Sequence, residues 1–264
     1  MKSVMIHDIQ KKYFDLPLYR YHLTFDDGLF SQYYYYPLLQ VHQKELLYFI
    51  PSSFIRPGEG RDMFAGKHIE YLKSKKYMHK ALIQRKFEAF MRLEELQDLA
   101  KADNVRLGVH SHFHDVILTR SHPKKRKPLS KWKLDHIGYP LDTPADAFSI
   151  RSRLAFQGYY LHHGRPVRRT RDQWLDYIKY DTESALQWFA ANLGLIPDAY
   201  CFPFNEHNQM LIDILKRFGF RDFYSARQIP PCCDIHTRVD IDAIALNCPK
   251  DIRQKQHPHH SNSG

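Results

Sequence analysis

Two short stretches of the chain have the composition of a reaction centre. The first is Leu23-Thr24-Phe25-Asp26-Asp27-Gly28, which follows an apolar, strand-like approach from Tyr19 and ends in a turn. Two adjacent carboxylates at a strand's end are costly unless a cation faces them. The second is Val109-His110-Ser111-His112-Phe113-His114-Asp115. His110 and His114 are spaced i, i+4, so on one helical turn, or a tight loop mimicking it, both imidazoles face one point. Two imidazoles and one carboxylate leave a coordination position open, the pattern of a hydrolytic metal rather than a structural one. Each motif alone is common in turns and on surfaces. Together, each behind its own expected strand, they point to a metal site. The two aspartates then divide. One binds the ion, and the other stays free to take a proton from water, whose pKa a bound cation lowers from ~15.7 toward ~7.

The positioning elements follow from hydrophobic patterning. Strands are expected over 19–25, over the continuous apolar run 46–50, over 105–109, over 199–204, near Phe223 and over 240–246. Leu93, Leu96 and Leu99 recur at helical spacing with Glu94 and Glu95 early in the segment. Further helices are expected over 176–193, stopped by Gly194, and over 207–218, stopped by Gly219. Residues 56–80 read as a loop with a short helix. The four tyrosines Tyr33 to Tyr36 form an aromatic wall or pack beneath a helix. Strands alternating with helices imply a parallel sheet. The chemical residues all follow strands, and in α/β barrels the strand C-termini form the active-site face.

Composition bounds the rest. With 264 residues, 43% hydrophobic and 14% aromatic, the chain is globular and long enough for one large α/β domain. No stretch approaches the roughly 18 apolar residues of a membrane span. The first fourteen residues lack the apolar core of a signal peptide, so a cytoplasmic protein is expected, with Cys201, Cys232, Cys233 and Cys248 reduced. Of the net charge of +10, nearly all lies between Val116 and Asp172, where thirteen Lys/Arg face four Asp/Glu. This proline-containing segment has no clean period. It reads as an inserted basic excursion, either plainly solvated or a contact surface for an anionic partner. The core then comprises about 19–115 and 173–248, and a polar tail covers 251–264.

The motifs Thr24-Phe25-Asp26-Asp27-Gly28 and His110-Ser111-His112-Phe113-His114 resemble the first two motifs of the polysaccharide deacetylases, the NodB-type carbohydrate esterases of family four. Pro197 to Asn208, containing Cys201-Phe202-Pro203-Phe204, resembles the third. The resemblance implies an α/β fold, a distorted (β/α) barrel of about seven parallel strands. It implies that Asp27, His110 and His114 bind one divalent ion, zinc first, with cobalt, nickel, manganese or iron as substitutes. Asp26 would be the general base. The backbone N–H of Phe204 would help hold the oxyanion, Ser111 would orient the second-motif loop, and His112 would point away or support the ligands from behind.

The chain departs from the family pattern in two places. Cys201 stands where an arginine usually braces the base, and no Asp-Trp-type fourth motif holds that arginine's partner. The family's acid, a histidine after a late apolar strand, is replaced by Asn247. His236 is the substitute acid expected here, with His207 and Glu206 as others. The function implied is a metal-dependent N-deacetylase acting on an N-acylated amino sugar. For a cytoplasmic member the substrate would be a lipid-linked, nucleotide-linked or growing precursor of a surface polysaccharide such as an O-antigen, and a formyl group could replace acetyl. The competing readings are a sugar-binding relative without catalysis and a basic metal-dependent nucleic-acid-binding protein. No recognised nucleic-acid-binding motif supports the latter.

Overall fold

Leu46 to Ile50 is apolar at every position, and every one of its side chains is buried. A strand hidden on both faces belongs in a parallel sheet covered by helices. The computed structural model describes residues 1–42, 45–120, 129–139, 148–227 and 235–247, and it places this strand in such a sheet. The strands are β1 (Lys2–Ile6), β2 (Tyr21–Phe25), β3 (Leu46–Ile50), β4 (Val105–Val109), β5 (Val116–Arg120), β6 (Phe148–Ser152), β7 (Tyr159–His162), β8 (Arg165–Arg168), β9 (Ala199–Cys201), β10 (Asp222–Ser225) and β11 (Ile235–Asp240). Seven of them close a barrel in the order β1-β11-β10-β9-β4-β3-β2, and every neighbouring pair is parallel.

Side chains alternate across the barrel wall. Leu47, Phe49, Ala199, Cys201 and Tyr224 form one buried cluster in the barrel's interior. Leu46, Tyr48 and Ile50 belong to the larger core between strands and helices, with Leu23, Phe25, Val109, Phe189 and Leu215. Gly108 on β4 is required by close approach: a Cβ there would lie 2.6 Å from the Phe49 ring and 3.0 Å from the Ala199 carbonyl.

The helices are α1 (Phe30–Tyr34), α2 (Tyr36–Leu39), α3 (Ser74–Leu82), α4 (Leu93–Leu99), α5 (Lys131–Ile137), α6 (Arg171–Leu193), α7 (Gln209–Arg217) and α8 (Ile241–Asn247). A capping box starts α6, in which Gln173 N–H donates to Thr170 Oγ1 at 3.1 Å and Thr170 N–H to Gln173 Oε1 at 2.9 Å. Gly194, left-handed at φ 66°, ends it.

One local expectation is corrected, and two features are added. The last strand covers 235–240 and not 240–246. Residues 241–247 are a helix, because Ile241, Ile244 and Ala245 recur at helical spacing behind an acidic first turn. The N-terminal residues contribute β1, whose Val4 and Ile6 are buried. The basic segment contributes strands of its own: β6-β5-β7-β8 form an antiparallel sheet apart from the barrel, with β5 bearing on α5. Its β7–β8 hairpin is largely solvent-facing, which explains the missing hydrophobic period. Cys232, Cys233, Cys248 and the tail 251–264 lie outside the described residues.

Candidate active site

All strands of the barrel run the same way, so the first residues after β1, β2, β4 and β9 share one mouth. His7, Asp26, Asp27, His110, His114, Phe202, Phe204 and Asn205 line a single cavity of about 350 Å³ there. Gln32 on α1 ties two of these exits together. Its amide donates to the His7 carbonyl at 2.8 Å and to the Asp26 carbonyl at 2.5 Å.

Asp26 is buried, and burial alone would raise its pKa. The Arg238 guanidinium reverses this and holds the carboxyl far below the usual carboxylate range. Arg238 donates from Nη1 to Asp26 Oδ1 at 2.6 Å and from Nη2 to Oδ2 at 2.8 Å. Nη1 also donates to Thr24 Oγ1 at 3.0 Å, and Nη2 to Cys201 Sγ at 2.9 Å. Burial keeps the Cys201 thiol protonated. The small Cys201 side chain leaves room in the barrel for a guanidinium reaching over from β11, so the brace absent from the third motif arrives from another strand.

Asp27 turns the other way. Its Oδ2 accepts from the Tyr77 hydroxyl at 2.9 Å, while its buried Oδ1 has no hydrogen-bond partner among the described residues. His110 Nε2 and His114 Nε2 each lie 3.5 Å from that orphaned oxygen. The other nitrogen of His110, Nδ1, donates to the Cys201 carbonyl at 2.9 Å, so the neutral ring presents a lone pair at Nε2. Burial lowers the pKa of His110 to about 4 and that of His114 to about 3, so neither is a cation near neutral pH. Two buried, neutral imidazoles and an unpartnered carboxylate oxygen converging on one point fit a divalent ion.

The loop carrying these imidazoles is fixed by Asp181 on α6. That carboxylate accepts from Ser111 Oγ at 3.1 Å, His112 N–H at 3.1 Å and Phe113 N–H at 3.1 Å. Ser111 Oγ in turn accepts from His114 N–H at 2.8 Å. His112 stands away from the cavity, with Nδ1 2.8 Å from Ser52 Oγ. Strain concentrates here. Asp27 (φ 74°), Ser111 (65°), His114 (51°), Phe204 (59°) and Asn205 (54°) are non-glycine residues in the left-handed region, each an outlier of about 1–3 kcal/mol that surrounding structure must impose.

The geometry brings together Asp26, Asp27, His110, His114 and Phe204, but it does not bring His236. That residue sits at the start of β11, at the opposite mouth. Its ring stacks on Tyr224 at 4.7 Å, its Nε2 is 3.5 Å from Asp222, and half its surface is exposed. Glu206 is also committed elsewhere, accepting from Arg151 Nε at 2.5 Å and Ser152 N–H at 2.6 Å. His207 packs against Phe202, with ring centroids 4.6 Å apart, outside the cavity lining. Besides His110 and His114, the histidine lining the cavity is His7, directly after β1 and beside the exit of β2.

No protein-family model matches the sequence, and no curated protein matches it. Solved structures do. The BpsB deacetylase domain from Bordetella bronchiseptica superposes with a TM-score of 0.55 at 18% identity, over 83% of this chain and 71% of that one. A de-N-acetylase from Aggregatibacter actinomycetemcomitans gives 0.55 at 14% identity, over 90% and 78%. IcaB from Ammonifex degensii gives 0.52 at 14%, over 93% and 95%. The fold is that of the polysaccharide deacetylases. Within a polysaccharide-deacetylase barrel, Arg238, His7, Tyr77 and Asp181 are the residues that reading the motifs alone missed. A histidine closing the short apolar run Val4-Met5-Ile6 was the available signal for His7. The other three come from elements whose sequences hold no local sign of the site.

Proposed function

We propose that the protein is a metal-dependent hydrolase that removes the acyl group from an N-acylated amino sugar in a surface-polysaccharide or O-antigen-like precursor, working in the cytoplasm. One observation carries this reading. A carboxylate locked in its charged form by Arg238 stands next to a convergent Asp-His-His set, in one cavity at the strand C-termini.

Asp27, His110 and His114 would hold the ion, and two nitrogens with one oxygen suit zinc. When bound, a divalent ion supplies Lewis acidity to the acyl carbonyl and makes water acidic near neutral pH. The chain's own residues supply the rest. Asp26 takes one proton from the attacking water, and Arg238 keeps that carboxylate charged and oriented. The Phe204 backbone N–H makes no hydrogen bond among the described residues and is available to the developing oxyanion, where one donor is typically worth about 3 kcal/mol. His7 is the group placed to protonate the departing nitrogen. The carbon–nitrogen bond breaks, and the products are a free amine and a carboxylic acid.

The test is acetate and formate release by zinc-loaded protein from a panel of free, nucleotide-linked and lipid-linked N-acylated amino sugars, with Asp26→Ala as control. Release by the wild type alone supports the assignment. A protein that binds zinc yet releases nothing from any member would overturn it.

A further inference from the structure

The cavity has a wall as well as a floor, and the two carry different charge. The floor holds Asp26, balanced by Arg238, and the Asp27-His110-His114 set. The wall is made by two helices packed against each other, α3 and α5, which contribute Ser74, Lys75 and Met78 from one and Ser130, Trp132 and Lys133 from the end of the other. No carboxylate belongs to this wall.

Lys133 is the informative member. Its ammonium sits 4.0 Å from the centre of the Phe204 ring and 5.4 Å from that of Trp132. Phe204 in turn packs on His114 with ring centroids 4.6 Å apart. A single aromatic ring therefore separates this cation from a metal-ligand histidine. Burial lowers the Lys133 pKa to about 8, only partly offset by Glu206. Glu206 is already engaged by Arg151 and the Ser152 N–H. No carboxylate among the described residues comes within ion-pair distance of Lys133. The Phe204 and Trp132 faces return part of the hydration this ammonium has lost, and an anion joining it would compensate the rest. Lys75, exposed on the first turn of α3, supplies a second cation on the same wall.

A neutral sugar residue offers these two ammonium groups hydroxyl acceptors but no countercharge. We infer that the substrate carries an anionic group, a carboxylate or a phosphate, on or next to the acylated sugar, held by Lys133 and Lys75 while Trp132 faces the sugar ring. This deepens the amino-sugar reading above and rests on it. It also assigns a role to part of the basic segment: α5 brings specificity to the barrel's mouth.

The experiment measures binding and turnover separately. Tryptophan fluorescence of the full chain is titrated with N-acetylglucosamine, N-acetylglucosamine 1-phosphate and N-acetylgalactosaminuronic acid. Acetate release from each is followed in parallel. The anionic sugars should bind at least about tenfold tighter than the neutral one, the worth of one charge-assisted hydrogen bond. Preference for phosphate or for uronate tells which anion the wall accepts. Lys133→Gln and Lys75→Gln should each erode that ratio through KM, and Lys133→Arg should retain it. Lys179→Gln, which removes an exposed charge on α6, should leave it unchanged. Equal binding of neutral and anionic sugars, or a ratio indifferent to both glutamine variants, overturns the inference. A fall in kcat alone, equal on all three sugars, would make Lys133 a catalytic group instead and also overturns it. Acetate release without charge preference defeats this inference and spares the deacetylase reading. Charge-selective binding without release does the reverse, and binding of none of the three defeats this inference while the wider panel decides the deacetylase reading.

Discussion

Arg238 grips Asp26 across 212 residues of sequence, with both terminal nitrogens and at 2.6 and 2.8 Å. The pair is buried, so each partner is the other's main charge compensation for lost water, with Thr24 and Cys201 beside them. Replacing Arg238 by Met leaves burial to act unopposed on Asp26, and its pKa rises. The acid limb of the kcat/KM profile should therefore move to higher pH, with activity at pH 7 down by about 10²-fold or more. Stability should follow the same logic. In the wild type the depressed Asp26 contributes stability that is full above about pH 4 and is lost on further acidification. In Arg238→Met that slope reverses, and the broken pair costs about 3–5 kcal/mol at neutral pH. Urea melts across pH read both effects. Arg238→Lys should not restore activity, because a lysine cannot bind both oxygens at once.

Asp27, His110 and His114 should act as one unit. Chelation should abolish activity and lower the melting temperature, and added zinc should restore both by mass action. His110→Ala or His114→Ala should bind zinc too weakly for either recovery. Calorimetric titration of zinc into the stripped protein checks this. Wild-type affinity retained in either variant would remove the metal assignment.

His7 and His236 make a matched pair of tests, since one lines the cavity and the other stacks on Tyr224 at the far mouth. His7→Ala should reduce kcat by about 10²–10⁴-fold with zinc binding unchanged. His236→Ala should leave kcat where it was. Steady-state kinetics on both variants reverse the assignment if the losses are exchanged.

Asp181 touches neither substrate nor ion and acts through the loop it fixes. Its carboxyl is pushed up to about 6 by burial, against the pull of the Phe113 and His112 N–H groups and the Ser111 hydroxyl. Asp181→Ala should lower zinc affinity by about 10–100-fold, as loss of a supporting hydrogen-bond partner does. Saturating zinc should recover much of the activity, which a purely structural collapse would not allow.

Gly108→Ala tests the barrel itself. The added methyl meets the Phe49 ring and the Ala199 carbonyl inside a closed wall, so a loss of about 1–3 kcal/mol is expected, measured by denaturant unfolding.

The parts of this molecule that were legible in sequence are those where chemistry and patterning coincide. Asp26 and His110 each follow an apolar strand, and β3 announces itself by being apolar throughout. Arg238 was hidden for the opposite reason. Its strand reads Ile-His-Thr-Arg-Val-Asp, polar because one face lines a barrel interior that holds a guanidinium, and the apolar run after it is the helix α8. His7 was hidden because β1 is short and lies among charged residues. Cys201 looked like a loss of function in isolation. Its contact with Arg238 is a relation between strands that no linear motif records.

β1 lies between β2 and β11 in the closed sheet. Three adjacent strands therefore deliver Asp26, the Arg238 that keeps it charged and His7, and one of those strands is the last of the barrel to be synthesised. A growing chain that has passed residue 201 already holds Asp26, Asp27, His110 and His114, yet not the Arg238 that lets Asp26 be buried as a charged group. The reactive arrangement is thus an end-point of folding. The Asp26–Arg238 pair on which the proposed chemistry depends can form only once that final strand seals the ring.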